Sequence, residues 1–185
     1  MKDPFRLDEQ CAVVTGAGKG IGRGITLQLA RAGADVVISS RTEDDLTSLV
    51  NEVESMGRKA TPVLCDVTQT AELENLAETA VSVGGIDIWV NNAGGLPDAT
   101  PRYLTRTPED RWDAQMNLNL KAVFIACQVA AANMKEGAII NISSSSAKAQ
   151  GNIKNGPYGA SKAAVNSLTQ TLALELGPGI RVNAV

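Results

Sequence analysis

Short apolar runs alternate along the chain with longer segments of helical period. "CAVVT" at 11–15 precedes a helical stretch from about Gly20 to Ala32, and "ADVVIS" at 34–39 follows it. The same unit recurs: helical segments at 43–57, 70–84, 108–134 and 158–177 lead into the apolar runs 59–65, 86–91, 137–143 and 180–185. The runs are continuously apolar rather than alternating, the pattern of strands covered by helices on both faces of a parallel sheet. They predict an α/β fold, a doubly wound parallel sheet of six strands in the order 3-2-1-4-5-6 with right-handed crossovers, occupying 1–185 as a single domain. Such sheets bind ligands beyond the carboxyl ends of their strands, where the strand order reverses. The irregular segment 94–108 follows a strand end and is expected to overhang that crevice, with Leu96, Pro97 and Tyr103 as candidate substrate contacts.

Charge and composition remove several classes of function. With 17 basic against 20 acidic side chains, nothing suggests attraction to nucleic acid or to anionic membranes. The first ten residues lack a signal-peptide apolar stretch and no run approaches the length of a membrane helix, so the expected location is cytoplasmic. Cys11, Cys65 and Cys127 are odd in number and sit among apolar neighbours, which reads as buried thiols. The absence of histidine excludes Ser-His and Cys-His pairs and the ordinary zinc sites, so no metal is expected and proton transfer must fall to Tyr, Lys, Asp, Glu or Cys.

"TGAGKGIGRG" lies between the first strand and the first helix, where a glycine turn brings backbone N–H groups and a helix N-terminus against a pyrophosphate. The spacing is G-x-x-x-G-x-G, with Gly16 for the tight turn, Gly20 for close approach to phosphate and Gly22 for packing helix on strand. Further on stand "CDV" (65–67), "NNAG" (91–94), "NLNLKA" (117–122), "NISS" (141–144) and "YGASK" (158–162). In this order and at these intervals the motifs resemble the short-chain dehydrogenase/reductase family over the whole chain. The resemblance implies a Rossmann fold and hydride transfer between a nicotinamide cofactor and a small-molecule carbonyl or alcohol. It implies cofactor contacts from Gly16, Lys19, Gly20, Ile21, Gly22, Asp66, Val67, Asn92, Ala93 and Gly94, and from Tyr158 and Lys162. Where an NAD-preferring domain places an acid after its second strand, this chain has Ser40 and Arg41, with Lys19 in the glycine turn; two cations there suit a 2′-phosphate, so NADP(H) is expected over NAD(H).

Pro157 presets the first turn of a helix, placing Tyr158 at its start and Lys162 one turn further on the same face. Phenols ionise near pH ~10, and poising one near neutrality takes roughly 4 kcal/mol of preferential phenolate stabilisation. A helix dipole of ~0.3 to 1 kcal/mol is too small, so the ammonium and the cofactor's charge must carry the remainder. The resemblance implies Tyr158 as the proton-transferring group, Lys162 as its tuner, a serine hydrogen-bonded to the reacting oxygen and an asparagine that kinks its helix. Ser144 fits the count from the strand and Ser145 the count back from Tyr158; Ser144 is preferred because strand register is the more rigid. Asn119 matches the asparagine, with Asn117 as competitor. Helices 108–134 and 157–176 resemble the family's dimer faces, implying a homodimer or homotetramer. Beyond the sixth strand the family continues with a substrate-covering segment and a seventh strand; the expectation is that the chain stops short of these, which leaves nucleotide binding without turnover as the alternative.

Overall fold

The computed structural model describes residues 5–148 and 154–185. Strands β1 (Cys11–Thr15), β2 (Asp35–Ser40), β3 (Ala60–Leu64), β4 (Ile88–Asn91), β5 (Gly137–Asn141) and β6 (Ile180–Ala184) alternate with helices α1 (Gly20–Ala32), α2 (Glu43–Ser55), α3 (Thr70–Val83), α4 (Glu109–Met116), α5 (Ala122–Asn133) and α6 (Gly156–Leu176). The strands form one parallel sheet in the order β3-β2-β1-β4-β5-β6, as the periodicity predicts. Its order reverses between β1 and β4, and the glycine turn and the "NNAG" segment leave the sheet there.

Successive side chains on each strand point to opposite faces, and each face has its own core. Val13, Val37, Trp89 and Ile139 meet Leu73 and Leu76 of α3, Cys127 of α5 and Val165 of α6. Val14, Val36 and Ile38 meet Ala30 of α1 and Leu46, Leu49 and Val53 of α2. Burying each such side chain contributes about 2 kcal/mol. All three cysteines are buried and free, and burial pushes the thiols up to about 11 for Cys11 and about 12 for Cys65 and Cys127.

Polar side chains tie the central strand ends together. Trp89 Nε1 donates to Asn91 Oδ1 (2.7 Å), Asn91 Nδ2 to Asn141 Oδ1 (2.8 Å), and Asn141 Nδ2 to Thr169 Oγ1 (2.9 Å). This buried chain of bonds joins β4, β5 and α6, fixing the helix that carries Tyr158 and Lys162 relative to the sheet.

Two elements differ from the periodic pattern. The single helix expected over 108–134 is divided, because Asn117–Lys121 form a π-helical turn between α4 and α5. Asn119 Nδ2 donates to the carbonyl of Gln115, four residues back (3.2 Å), supplying a side-chain donor to a carbonyl whose usual partner is a backbone N–H. In β3 only Val63 is buried, because β3 is an outer strand; Pro62, which lacks a ladder donor, is exposed there at no cost to an inner pairing.

Candidate active site

The glycine turn is shaped by close contacts. Gly16 has φ 63°, and a Cβ there would stand 2.8 Å from Ala93 Cα. At Gly22 a Cβ would stand 2.3 Å from Gly16 O and 2.4 Å from Asn92 Nδ2, so this glycine packs α1 on the turn and on the end of β4 rather than on a strand face. Asn92 completes the junction, its Nδ2 donating to Thr15 O (2.9 Å) and Gly16 O (3.1 Å). Gly20, with φ 54°, faces open space. Lys19 is the N-cap of α1 without a side-chain cap bond, and the first turn holds no acid; the helix thus presents uncapped N–H groups and a partial positive charge.

A cleft of about 570 Å³ opens at this turn. Among the residues expected to hold a cofactor, Gly16, Lys19, Ile21 and Gly22 line it, as do Ser40 and Arg41 after β2, Asp66 and Val67 after β3, Asn92 to Gly94 after β4, and Tyr158 and Lys162. Gly20 is outside its wall. Periodicity and motif spacing missed Gly18, Thr42, Asp45, Gly95, Leu118, Ile142 and Ser143, which also line it. Lys19 Nζ lies 3.0 Å from Asp45 Oδ2, with Lys19 78% exposed. Asp66 is held below the usual carboxylate range, chiefly by the Thr68 backbone N–H on its Oδ1 (3.0 Å), with a contribution from Arg41.

Lys162 has a different environment. It is 3% exposed, its Nζ donates to Ile142 O (2.6 Å), and it stands 5.8 Å from the centre of the Tyr158 ring. Burial lowers its pKa. Both the Asn119 Oδ1 (2.8 Å) and the Lys162 Nζ (3.6 Å) approach the point that a Gly94 Cβ would occupy, so the missing side chain leaves the gap between them. Asn119 is fully buried; its Oδ1 accepts from Gly95 N–H (2.8 Å) and its Nδ2 donates to Gly95 O (2.9 Å). Gln115, absent from the expected site, adds an Nε2 bond to the same carbonyl (2.8 Å). Asn117 is only half-buried.

The serine segment packs on the first turn of α6, where a Gly159 Cβ would stand 3.2 Å from Ser146 O. Ser144 is half-buried and its Oγ accepts from Ser146 N–H (3.1 Å), whereas Ser145 is exposed. Neither lines the cleft, which is walled instead by Ser143. A second cavity of about 260 Å³, lined by Leu96, Pro97, Gln115 and Pro157, shares Tyr158 with the cleft. Tyr103 stands outside both, half exposed, with the Arg106 guanidinium 6.0 Å from its ring centre.

These residues fit a dinucleotide. Uncapped N–H groups and glycine backbone suit a pyrophosphate, the Ser40–Arg41 region suits an adenosine ribose, and the Tyr158–Lys162 region suits the reacting ring. Among the described residues no cluster of acids or cysteines could hold a metal ion.

The short chain dehydrogenase family model matches residues 10–185. The chain belongs to this family. It is 40% identical to a 3-oxoacyl-acyl-carrier-protein reductase of Thermotoga maritima over 98% of this chain and 74% of the relative. It is 38% identical to the 7alpha-hydroxysteroid dehydrogenase of Escherichia coli over 99% of this chain and 72% of the relative. Among solved structures, a 7α-hydroxysteroid dehydrogenase complexed with NADH and 7-oxo glycochenodeoxycholic acid matches with a TM-score of 0.91 at 38% identity, covering 97% of this chain and 71% of that one. A short chain dehydrogenase from Burkholderia cenocepacia in complex with NADP matches with a TM-score of 0.90 at 37% identity, covering 97% and 74%. The short-chain dehydrogenases are oxidoreductases that act on small molecules with a nicotinamide cofactor, so the family favours turnover over nucleotide binding alone.

Proposed function

We propose that the protein is an NADP(H)-dependent oxidoreductase that interconverts a ketone and a secondary alcohol, with Tyr158, Lys162, Ser144 and Asn119 as its working groups. The observation that carries this reading is the buried Lys162 ammonium beside the Tyr158 ring, in the cleft that also holds the glycine turn. The nicotinamide cofactor supplies or accepts the hydride. Tyr158 exchanges a proton with the substrate oxygen, and the Lys162 charge favours its phenolate form. Ser144, the preferred serine, hydrogen-bonds the same oxygen. Asn119 holds Gly95 and the π-helical turn in place beside Lys162. Lys19 and Arg41 bind the 2′-phosphate that distinguishes NADP(H) from NAD(H).

The cavity shared with the cleft through Tyr158 receives the carbonyl substrate; Leu96, Pro97 and Pro157 give it an apolar wall. Exposed Phe124 on α5 and Leu174 on α6 fit a homodimer or homotetramer built on those helices. Among the described residues no helix is long and apolar enough to cross a membrane; a cytoplasmic location is part of this proposal.

Oxidation of NADPH with a panel of ketones tests the reading, beginning with 3-oxoacyl thioesters and 7-oxo bile acids because relatives are named for such compounds. Tyr158→Phe is expected to lower turnover by about 10² to 10⁴-fold, the contribution of general acid–base catalysis, and to leave NADPH affinity within a few fold. Turnover within tenfold of the parent would refute the assignment.

A further inference from the structure

We propose that Asp45 is a specificity-determining residue whose carboxylate, fixed on Lys19 in the cofactor cleft, opposes a 2′-phosphate and so limits the preference for NADP(H) over NAD(H). This rests on the NADP(H) reading above. Asp45 lines the cleft together with Ser40 and Arg41, and is the partner of one of the two cations that the 2′-phosphate would use. The carboxylate is the fixed member of the pair. A Cβ on Gly18 would stand 2.9 Å from Asp45 Cβ, so the first turn of α2 lies directly on the glycine turn. Arg23 clamps the two, donating to Gly18 O and to Asp45 O (both 3.4 Å) and pairing with Glu52 on the next turns of α2. Lys19 reaches Asp45 on an exposed stem.

A dianionic phosphate that engages Lys19 must therefore come close to a carboxylate that cannot withdraw, and it competes with that carboxylate for the ammonium. A ribose bearing only hydroxyls meets no such repulsion. Removing the charge at Asp45 should thus act on one dinucleotide and not the other. An acid in the first turn of α2 also favours the helix dipole, but that role is shared with Glu43 and Asp44, which do not line the cleft.

The test is the dissociation constant of NADPH and of NADH, measured by calorimetry on the full chain for the parent, Asp45→Asn and Asp44→Asn. Asp45→Asn is expected to tighten NADPH by about five- to twentyfold, the range for a like charge a few ångströms from the phosphate at a wet surface, with NADH within twofold. Asp44→Asn is expected to leave both constants within twofold. Asp45→Ser, checked for an unchanged melting transition, serves if the asparagine variant folds poorly. Weaker NADPH binding in the Asp45 variants would mean that the acid orients Lys19, and would overturn the proposal, as would equal shifts for both dinucleotides or the same gain from Asp44→Asn. Failure of the NADP(H) reading gives a different pattern, in which the parent prefers NADH and Arg41→Ala changes neither constant; the proposal then falls with it.

Discussion

Lys19 and Lys162 line the same cleft in different regions, and the two regions give them opposite surroundings. Lys19 projects from the N-cap of α1, is 78% exposed, and holds a carboxylate. Lys162 lies within α6, is 3% exposed, has no ion pair among the described residues, and donates from its ammonium to the backbone carbonyl of Ile142. Water and salt screen the first charge, so it can be exchanged between partners at little cost. The second is held in a poorly solvating site, where its field acts on the Tyr158 ring with less screening and where its proton is easier to lose. Identical side chains are thus suited to unlike work, because the fold gives them unlike solvents.

The strongest way to break this contrast is to remove each lysine's charge in turn. Lys162→Met is expected to reduce turnover by roughly 10² to 10⁴-fold, as loss of proton-transfer assistance does. Lys19→Met should instead weaken NADPH by less than about tenfold, in keeping with about 1 kcal/mol for an exposed charge. The two should also differ in the pH dependence of stability. Burial lowers the Lys162 pKa below its ordinary 10.5, so between the lowered value and 10.5 the unfolded chain binds more protons than the folded one. Stability attributable to this group therefore rises with pH across that window, and below it the buried charge is a net cost. The buried thiols, raised above their ordinary 9.0, act in the opposite sense over the same range in every variant, so the readout is the difference: urea denaturation across the window should give a slope of stability against pH that is more positive in the parent and in Lys19→Met than in Lys162→Met. A Lys162→Met enzyme within tenfold of the parent, or one that keeps the slope, would remove the distinction.

A smaller effect is expected at the support of the buried lysine. Asn119→Leu leaves the Gly95 N–H without its partner and removes one of two donors from the Gly95 carbonyl, a loss of about 2 to 3 kcal/mol. For a chain of this size that lowers the melting temperature by roughly 5 to 10 °C. Asn117→Ala, at a half-buried position two residues away, should change stability by no more than about 0.5 kcal/mol. Equal melting temperatures for the two variants would mean that the π-helical turn does not depend on Asn119.

How far the sequence discloses these features follows from the range of the forces involved. The order of elements is legible because burial on two faces of a sheet imposes continuous apolar runs, and Val13, Val37 and Trp89 report it directly. The broken helix is not legible from periodicity, since Asn119 and Gln115 keep helical spacing and only their convergence on Gly95 shows why the backbone widens. Asp45 escapes notice for the same reason: on its own helix it is one acid of three in the first turn, and only the approach of α2 to Gly18 brings it into the cleft. Tyr103 shows the opposite error, an aromatic in an overhanging segment that lies outside both cavities. Motif residues are legible where one element carries the chemistry, as with Tyr158 and Lys162, and poorly legible where loop length decides, as with Ser144 and Ser145.

The smallest expected effect is one of solvent rather than of sequence. If Lys19 and Arg41 meet a 2′-phosphate in water, their attraction is of order 1 kcal/mol per close unit-charge pair and is screened by salt, with a Debye length of about 10 Å at 0.1 M falling to about 3 Å at 1 M. NADPH should therefore weaken by about threefold more than NADH between those ionic strengths, because the pyrophosphate and nicotinamide contacts are common to both and the attraction to the exposed cations, offset in part by the repulsion from Asp45, is what salt screens. Arg41 is exposed and has no ion pair among the described residues, so Arg41→Ala should remove most of the differential salt effect. Titrations of both dinucleotides at the two salt concentrations decide the matter. If NADH and NADPH respond equally in the parent, the phosphate does not rest on these cations, and the assignment of the exposed region to cofactor discrimination fails while the buried region is untouched.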